Sequence, residues 1–188
     1  MKRFLLPLCL MLAGCALSKP AAPLREHDLG PMFETPAGRA PVVLRKLSVS
    51  AAPQLSGLSM HYREAAHPTR LGSYVQHRWV TPPPNLVRQA MLRLLPQEPG
   101  ERCSLMVLLN EFNVDIDAGG AARAVLASEL KLSRDGQEIL RRPADLRVPM
   151  PRPAPGEGAL ALREATIRLS QCIADWLTQA QVRERCAD

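Results

Sequence analysis

The sequence predicts an α+β domain: a mostly antiparallel sheet in the order β-β-β-α, β-β-β-α, with two helices packed on one face. Three observations support this prediction. Runs of alternating apolar and polar residues indicate strands, and two stretches with apolar residues at helical spacing indicate helices. Segments rich in proline or glycine separate these elements. Strands and helices in this order are typical of a sheet with helices segregated on it.

The first half of the domain holds three strand-like runs and a helix. The runs cover 42–51, 58–63 and 72–80 and are rich in β-branched, aliphatic or aromatic residues. Thr81 and three prolines then end the third strand and begin a helix, because proline presets φ in a first helical turn. Six apolar residues give this helix one buried face: Leu86, Val87, Ala90, Met91, Leu94 and Leu95.

The second half repeats this order with stronger signals. Segment 105–117 begins as a continuous apolar run, as expected of a strand covered on both faces, and then alternates. Turns at 119–120 and at Asp135-Gly136 separate it from strands at 121–133 and 137–148, which complete a three-strand meander. After a proline-rich loop, an amphipathic helix is expected over 158–181. Its predicted buried face consists of Leu162, Ala165, Leu169, Cys172, Ile173, Trp176 and Ala180.

The amino terminus predicts a bacterial lipoprotein signal. A basic start and an apolar run precede Leu12-Ala13-Gly14-Cys15, where small residues stand before a cysteine. The apolar run of roughly ten residues is too short to cross a bilayer, which needs about 20. The four residues resemble the lipobox, so we expect cleavage between Gly14 and Cys15 and acylation of the Cys15 thiol. The expected location is the cell envelope, lipid-anchored and facing the periplasm. Ala16 after the cysteine favours the outer membrane, by resemblance to enteric lipoproteins.

Composition sets the expected domain boundaries. Residues 1–14 form the signal peptide, and 15–41 hold the lipidated cysteine and a proline-rich tether without apolar periodicity. The folded domain is expected over 42–181, followed by a polar tail at 182–188. At the polyproline rise, a tether of about 26 residues would reach on the order of 80 Å. A domain on such a tether would not need to lie on the membrane.

Charge and aromatic content disfavour a nucleic-acid partner. The net charge of +6 falls to +4 once Lys2 and Arg3 are removed with the signal, and no block of five or six like charges appears. Seven aromatic residues, scattered along the chain, are too few for a base-stacking platform.

No catalytic or cofactor motif is present in the sequence. It lacks a Gly-x-Ser-x-Gly elbow, a His-Glu-x-x-His helix and a glycine-rich phosphate loop. Asp115 and Asp117 suggest either a carboxylate pair or calcium site, or solvated turn residues before Gly119-Gly120, and we favour the turn. We therefore predict no enzyme activity, no cofactor and no metal. Four histidines lack ligand-like spacing: His27, His61, His67 and His77.

Three cysteines besides Cys15 remain after processing, in a compartment that favours disulfides. Cys103 stands at the entry to the most buried strand, and Cys172 lies on the predicted buried face of the last helix. We therefore predict a Cys103–Cys172 disulfide. A Cys103–Cys186 disulfide and three free thiols are the alternatives.

A family resemblance rests on the segment 74–83 (YVQHRWVTPP) and its surroundings. This segment follows a lipobox, a tether and two strands, and it precedes a helix and a long apolar strand that reaches Glu111-Phe112. Over about 42–180 the chain resembles the ABC-type transport auxiliary lipoproteins, PqiC-like proteins that accompany MCE-domain lipid transporters. It departs from them at 24–35, where the tyrosine-rich opening strand is missing. The residues that match the motif are Tyr74, Arg78, Trp79, Pro82 and Pro83.

The resemblance implies a membrane-anchored, non-catalytic accessory component of an ABC/MCE-type intermembrane lipid transport system. Its implied partner is an MCE-domain periplasmic protein, and self-association stays open. The alternative is a lipoprotein that assembles or braces another outer-membrane or secretion complex. Within the motif we expect Trp79 to be a packing residue rather than a ligand contact.

Overall fold

A computed structural model describes residues 22–31, 43–95, 97 and 101–187. The predictions that concern the signal peptide, Gly14 and Cys15 lie outside these residues.

Seven strands and three helices make up the described chain, and the α+β class is confirmed. The order β-β-β-α, β-β-β-α is not confirmed, because one short strand precedes the expected ones and one short helix follows them. The strands are β1 Arg25–His27, β2 Lys46–Ala51, β3 Ser59–Glu64, β4 Leu71–Trp79, β5 Cys103–Ile116, β6 Ala122–Arg134 and β7 Gln137–Met150. The helices are α1 Pro83–Leu94, α2 Pro155–Leu177 and α3 Ala180–Ala187.

β5 is the central strand, because three strands pair with it. β6 runs antiparallel along its whole length. On its other side, β2 pairs in parallel with its first half and β3 pairs in parallel with its last residues. The register shifts between Leu109 and Glu111, between the segments that pair with β2 and with β3. One long strand can therefore hold two short ones end to end.

The remaining strands extend the sheet on both sides. β7 continues the meander antiparallel to β6, as the alternation predicts. Asp135 and Gly136 have φ of 50° and 87°, the positive values that a tight hairpin turn requires. On the other side, β4 pairs antiparallel with β3, and β1 adds to β4 in parallel. The sheet order is β1-β4-β3-β5-β6-β7, mostly antiparallel with parallel pairs.

The core lies between the sheet and helices α1 and α2. α2 packs against β5, β6 and β7, while α1 packs against β2 and α2. Gly158 allows α2 to approach β5 closely, since a Cβ at this position would come within 2.9 Å of the Val114 side chain. The buried side chains of β5 and β6 in this core include Leu105, Val107, Leu109, Phe112, Val114, Leu126, Leu130 and Leu132.

Alternate residues of β5, β6 and β7 form a second, polar face of the sheet, which carries charged pairs. Arg147 lies 3.0 Å from Asp145 and 4.0 Å from Asp115, and Arg141 lies 2.8 Å from Glu129. These charges neutralise one another at the surface, where single pairs add little stability. The face is therefore polar and balanced in charge.

Residues 22–31, which we assigned to the tether, belong to the folded domain. β1 lies within them, and Leu29 is buried in the core. The folded part therefore begins before residue 42. β1 has three residues and no apolar alternation, so its strand conformation depends on pairing with β4 rather than on a local pattern.

The predicted Cys103–Cys172 disulfide is wrong: Cys103 is bonded to Cys186, across 83 residues of sequence. Cys186 lies on α3, so the expected polar tail is a helix fastened to β5. Cys172 is exposed on α2.

The buried face of α2 differs from the predicted one: it includes Thr166 and Ser170 and leaves out Cys172. Their hydroxyls donate to carbonyls one turn earlier, at 2.8 and 3.0 Å, and can therefore be buried.

We predict that Cys186→Ser lowers the free energy of unfolding by about 4 kcal/mol, because it releases a long loop in the unfolded chain. Cys172→Ser is the control and should change stability little, since its side chain is exposed. Urea unfolding measures both values, and non-reducing peptide mapping identifies the bond. A peptide linked through Cys172, or equal losses in the two variants, would contradict the observed pairing.

Candidate functional site

Strand β1 is attached to β4 by a short parallel ladder. Arg25, Glu26 and His27 pair with His77, Arg78 and Trp79, in that order. The Val80 amide extends the ladder by donating to the His27 carbonyl at 2.9 Å. A ladder of this length is marginal by itself, so side-chain contacts must contribute to holding β1 in place.

An ion pair joins the two strands. Arg78 donates through Nε and Nη2 to the same Glu26 oxygen, at 3.0 and 2.6 Å. Both side chains are about half exposed, so the pair adds at most about 1 kcal/mol. Its main effect is on register, since it forms only when Glu26 lies opposite Arg78.

A histidine pair joins the same strands. His27 Nε2 and His77 Nδ1 are 2.8 Å apart, and the rings are stacked with centroids 5.1 Å apart. One ring must donate and the other must accept, so at least one of them is neutral. Burial lowers the pKa of His27, and the charges of His77 and Arg25 lower it further against the opposing effect of Asp28. We call Glu26, His27, His77 and Arg78 the β1 clamp.

Two aromatic motif residues support the clamp. Trp79 is 1% exposed and packs on Phe112, with centroids 5.5 Å apart, so it is a core residue. Tyr74 packs on Tyr62 at 4.9 Å, and burial raises the pKa of its hydroxyl. The Tyr62 ring also covers Gly72, where a Cβ would come within 2.5 Å of it. The aromatic contacts fix β4, and β4 in turn positions β1.

The motif prolines begin helix α1. Pro82 is the N-cap residue of α1, and Pro83 occupies the first turn and is buried. The sequence predicts this start, because a first-turn proline lacks only an N–H that would have no helical partner. All five motif residues therefore have structural roles in or beside the strand that holds β1.

A groove begins where β1 ends. Residues 28–31 cross between α1 and α2, and Gly30 turns the chain with φ of 66° while its N–H donates to the Asp28 carboxylate at 2.8 Å. Hollows of about 270 and 540 Å³ lie on the α1 and α2 sides of this segment. Apart from residues 28–31, they are lined chiefly by Leu86, Gln89, Ala90 and Arg93 on α1 and by Ala159, Leu160 and Arg163 on α2.

The groove combines apolar and cationic groups. Leu160 is 63% exposed at its edge, although it is a large apolar residue on a helix. Arg163 donates to the Pro31 carbonyl at 3.1 Å, and Arg93 forms no ion pair within the described chain. Arginine is enriched in protein–protein interfaces, whereas a single exposed leucine is common on any protein surface. We call this surface the β1–α2 groove.

The remaining candidates do not assemble into a reactive site. Asp117 is a turn residue, whose carboxylate accepts the Gly119 and Ala121 amides at 2.9 Å. Asp115 instead lies on β5 and accepts from Asn113 at 2.8 Å. Within the described residues, no three His, Cys, Asp or Glu side chains are grouped so that they could hold a metal. No described helix is long and apolar enough to span a membrane.

Sequence reasoning missed the β1 half of the clamp and the groove. Glu26 and His27 lie in a segment without periodicity, so no local signal marks them as part of a sheet. Leu160 could have been noticed, because two residues of helix turn it by about 200° from the buried Leu162. The sequence signal that could have marked this surface was therefore an apolar residue on the polar side of an amphipathic helix.

Comparison with known proteins shows a shared fold. No family model and no curated protein matches the chain. The crystal structure of protein XCC0632 from Xanthomonas campestris, assigned to the family DUF330, is similar with a TM-score of 0.66 and 16% identity, over 88% of this chain and 98% of that one. A second crystal structure, of an uncharacterized protein, has a TM-score of 0.64 and 17% identity, over 83% of this chain and 99% of that one. At these identities the likeness concerns the fold alone.

We predict that acid weakens the attachment of β1. Because the pKa of His27 is lowered in the folded protein, a detached His27 binds a proton more readily below about pH 6.5. The neutral histidine pair therefore stabilises the attachment of β1 fully above about pH 6.5. This stabilisation is lost as the pH falls toward the lowered pKa of His27. Hydrogen exchange of the β1 amides should accelerate relative to β5 on acidification.

His27→Gln should remove most of this pH dependence, and His67→Gln on the exposed β3–β4 hairpin is the matched control that should keep it. Protection of β1 in the wild type that stays constant or rises with acid would refute the role of the histidine pair.

Proposed function

We propose that the protein is a membrane-anchored, non-catalytic accessory component of an ABC/MCE-type intermembrane lipid transport system, and that it binds an MCE-domain periplasmic protein. The β1 clamp is the observation that carries this proposal. Arg78 and Trp79, the sharpest part of the family resemblance, hold in place the strand that follows the lipobox. The motif therefore connects an anchor to a domain, as an accessory lipoprotein requires.

The cysteines support an envelope location. Cys15 stands in a lipobox, and Cys103 is bonded to Cys186. Structural disulfides are typical of the periplasm and rare in the cytosol. A chain processed at Gly14-Cys15 would present its folded domain to that compartment, attached by lipid to the outer membrane or, less favoured by Ala16, to the inner one.

The β1–α2 groove is the surface that we propose for the partner. The polar sheet face is already balanced by its own ion pairs. The outer strand β7 carries Pro143 and Pro149, which lack N–H donors for an added strand. The groove instead offers the exposed Leu160 with Arg163 on its α2 side and Arg93 on its α1 side. These groups suit a partner segment with apolar residues flanked by carboxylates.

We predict that Leu160→Glu reduces copurification of the MCE protein from crosslinked cells by about tenfold or more, because it puts a charge into a contact that we expect to be apolar. Met106→Glu is the matched control, since Met106 is also an exposed apolar residue but lies on the polar sheet face. This variant should copurify like the wild type.

Mass spectrometry of the crosslinked material separates the alternatives. Crosslinks to proteins of another outer-membrane or secretion complex, without an MCE protein, would favour the bracing function. Equal recovery of the MCE protein with Leu160→Glu and with the wild type would exclude the groove as its binding site.

A further inference from the structure

We infer that one corner of the domain rests on the phospholipid headgroups of the bilayer that holds Cys15. The corner consists of Leu24 and Arg25 where the chain enters β1, of Val75 on β4 two residues before the partner of Arg25, and of Arg70 in the β3–β4 hairpin, and we call it the β4 corner. This inference rests on the lipid anchor of the proposed function and adds the orientation of the domain to it.

The direction of β1 determines the side from which the anchor arrives. β1 is parallel to β4, and Arg25 lies opposite His77 near the end of β4. The residues before Arg25 therefore come from the side where β4 begins, at Leu71, after the β3–β4 hairpin. The described residues 22–24 precede β1 on this route, and Leu24 is about half exposed there.

The length of the connection keeps the domain near the bilayer. Seven residue steps separate Cys15 from Ala22, the first described residue before β1, and at full extension they span at most about 25 Å. The described part of the domain therefore begins within about 25 Å of the acylated cysteine. The expected tether of about 80 Å is thus much shortened.

The composition of the corner suits a lipid surface. Val75 is 91% exposed, the highest value among the large apolar residues of the described chain, and Leu24 is 47% exposed. Arg25 and Arg70 are exposed, and neither forms an ion pair among the described residues. Apolar side chains can enter the headgroup region while guanidinium groups bind phosphates.

The corner is also held in shape before any contact. Arg63 donates to the Pro68 carbonyl at 2.8 Å, and the amides of His67 and Arg70 donate to Glu64 and His67 at 2.9 Å. The hairpin next to Arg70 is therefore fixed by its own hydrogen bonds. Binding would then require little ordering of this segment.

The test uses the full-length lipidated protein with Cys172→Ser, reconstituted into vesicles of phosphatidylethanolamine and phosphatidylglycerol. An environment-sensitive dye is attached in turn to Val75→Cys and to Met106→Cys, the exposed apolar control on the polar sheet face. Lipid-borne quenchers should quench the dye at position 75 at least about twofold more than at position 106. Arg25→Glu with Arg70→Glu should reduce this difference.

Each other outcome would overturn the inference in a distinguishable way. Equal quenching at the two positions, with Cys15 lipidated by mass spectrometry, would refute the orientation and leave the anchor intact. An unmodified Cys15, or unchanged membrane fractionation of Cys15→Ser, would refute the anchor and the orientation together. Shielding of position 75 only after an MCE protein is added would assign the corner to a protein partner instead.

Discussion

The parallel pairing of β1 with β4 is the constraint on which both proposed surfaces, the β1–α2 groove and the β4 corner, depend. Three residue pairs join β1 to β4, and the last of them includes the core residue Trp79. So few backbone contacts would not hold β1 in place by themselves. The β1 clamp adds an ion pair and a histidine pair, which form only in this register. Trp79 supports them from the core, because its ring is packed on Phe112 of the central strand.

β1 connects the β4 corner to the β1–α2 groove. β1 enters beside the exposed edge of β4, and its continuation at 28–31 crosses between α1 and α2. In the proposed function, three strand residues therefore separate the connection to the lipid from the surface for a partner. The domain would then act by its position, as a link between a membrane and another protein.

The sequence predicted the parts of the fold that local patterns determine. Asp135-Gly136 specifies a turn, Pro82-Pro83 begins a helix, and alternation marks β5 and β6, because each signal acts within a few residues. The parallel pairing of β2 and β3 with one strand has no such local signal. It depends on β2 and β3 running in the same direction along successive parts of β5, which are far from them in sequence.

The predictions that were wrong concern residues whose surroundings depend on contacts between elements far apart in the sequence. Cys172 fits an apolar stripe by spacing, but the buried face of α2 turns toward Thr166 and Ser170, whose hydroxyls are satisfied within the helix. Cys186 was assigned to a tail, yet it lies beside Cys103 because α3 folds back toward β5. β1 was assigned to a tether, since three residues carry no period. β1 pairs with His77–Trp79, inside the segment that carries the family resemblance.

The central proposal is that β1 holds the domain close to the bilayer in which an acylated Cys15 would be anchored. Neutron reflectometry of the full-length lipidated protein on a supported bilayer measures the distance between the headgroups and the protein layer. We expect protein density that begins at the headgroups or within about 25 Å of them, the longest span of the seven residue steps from Cys15 to Ala22. A hydrated gap clearly wider than this, such as an extended tether of about 80 Å would give, would contradict the account.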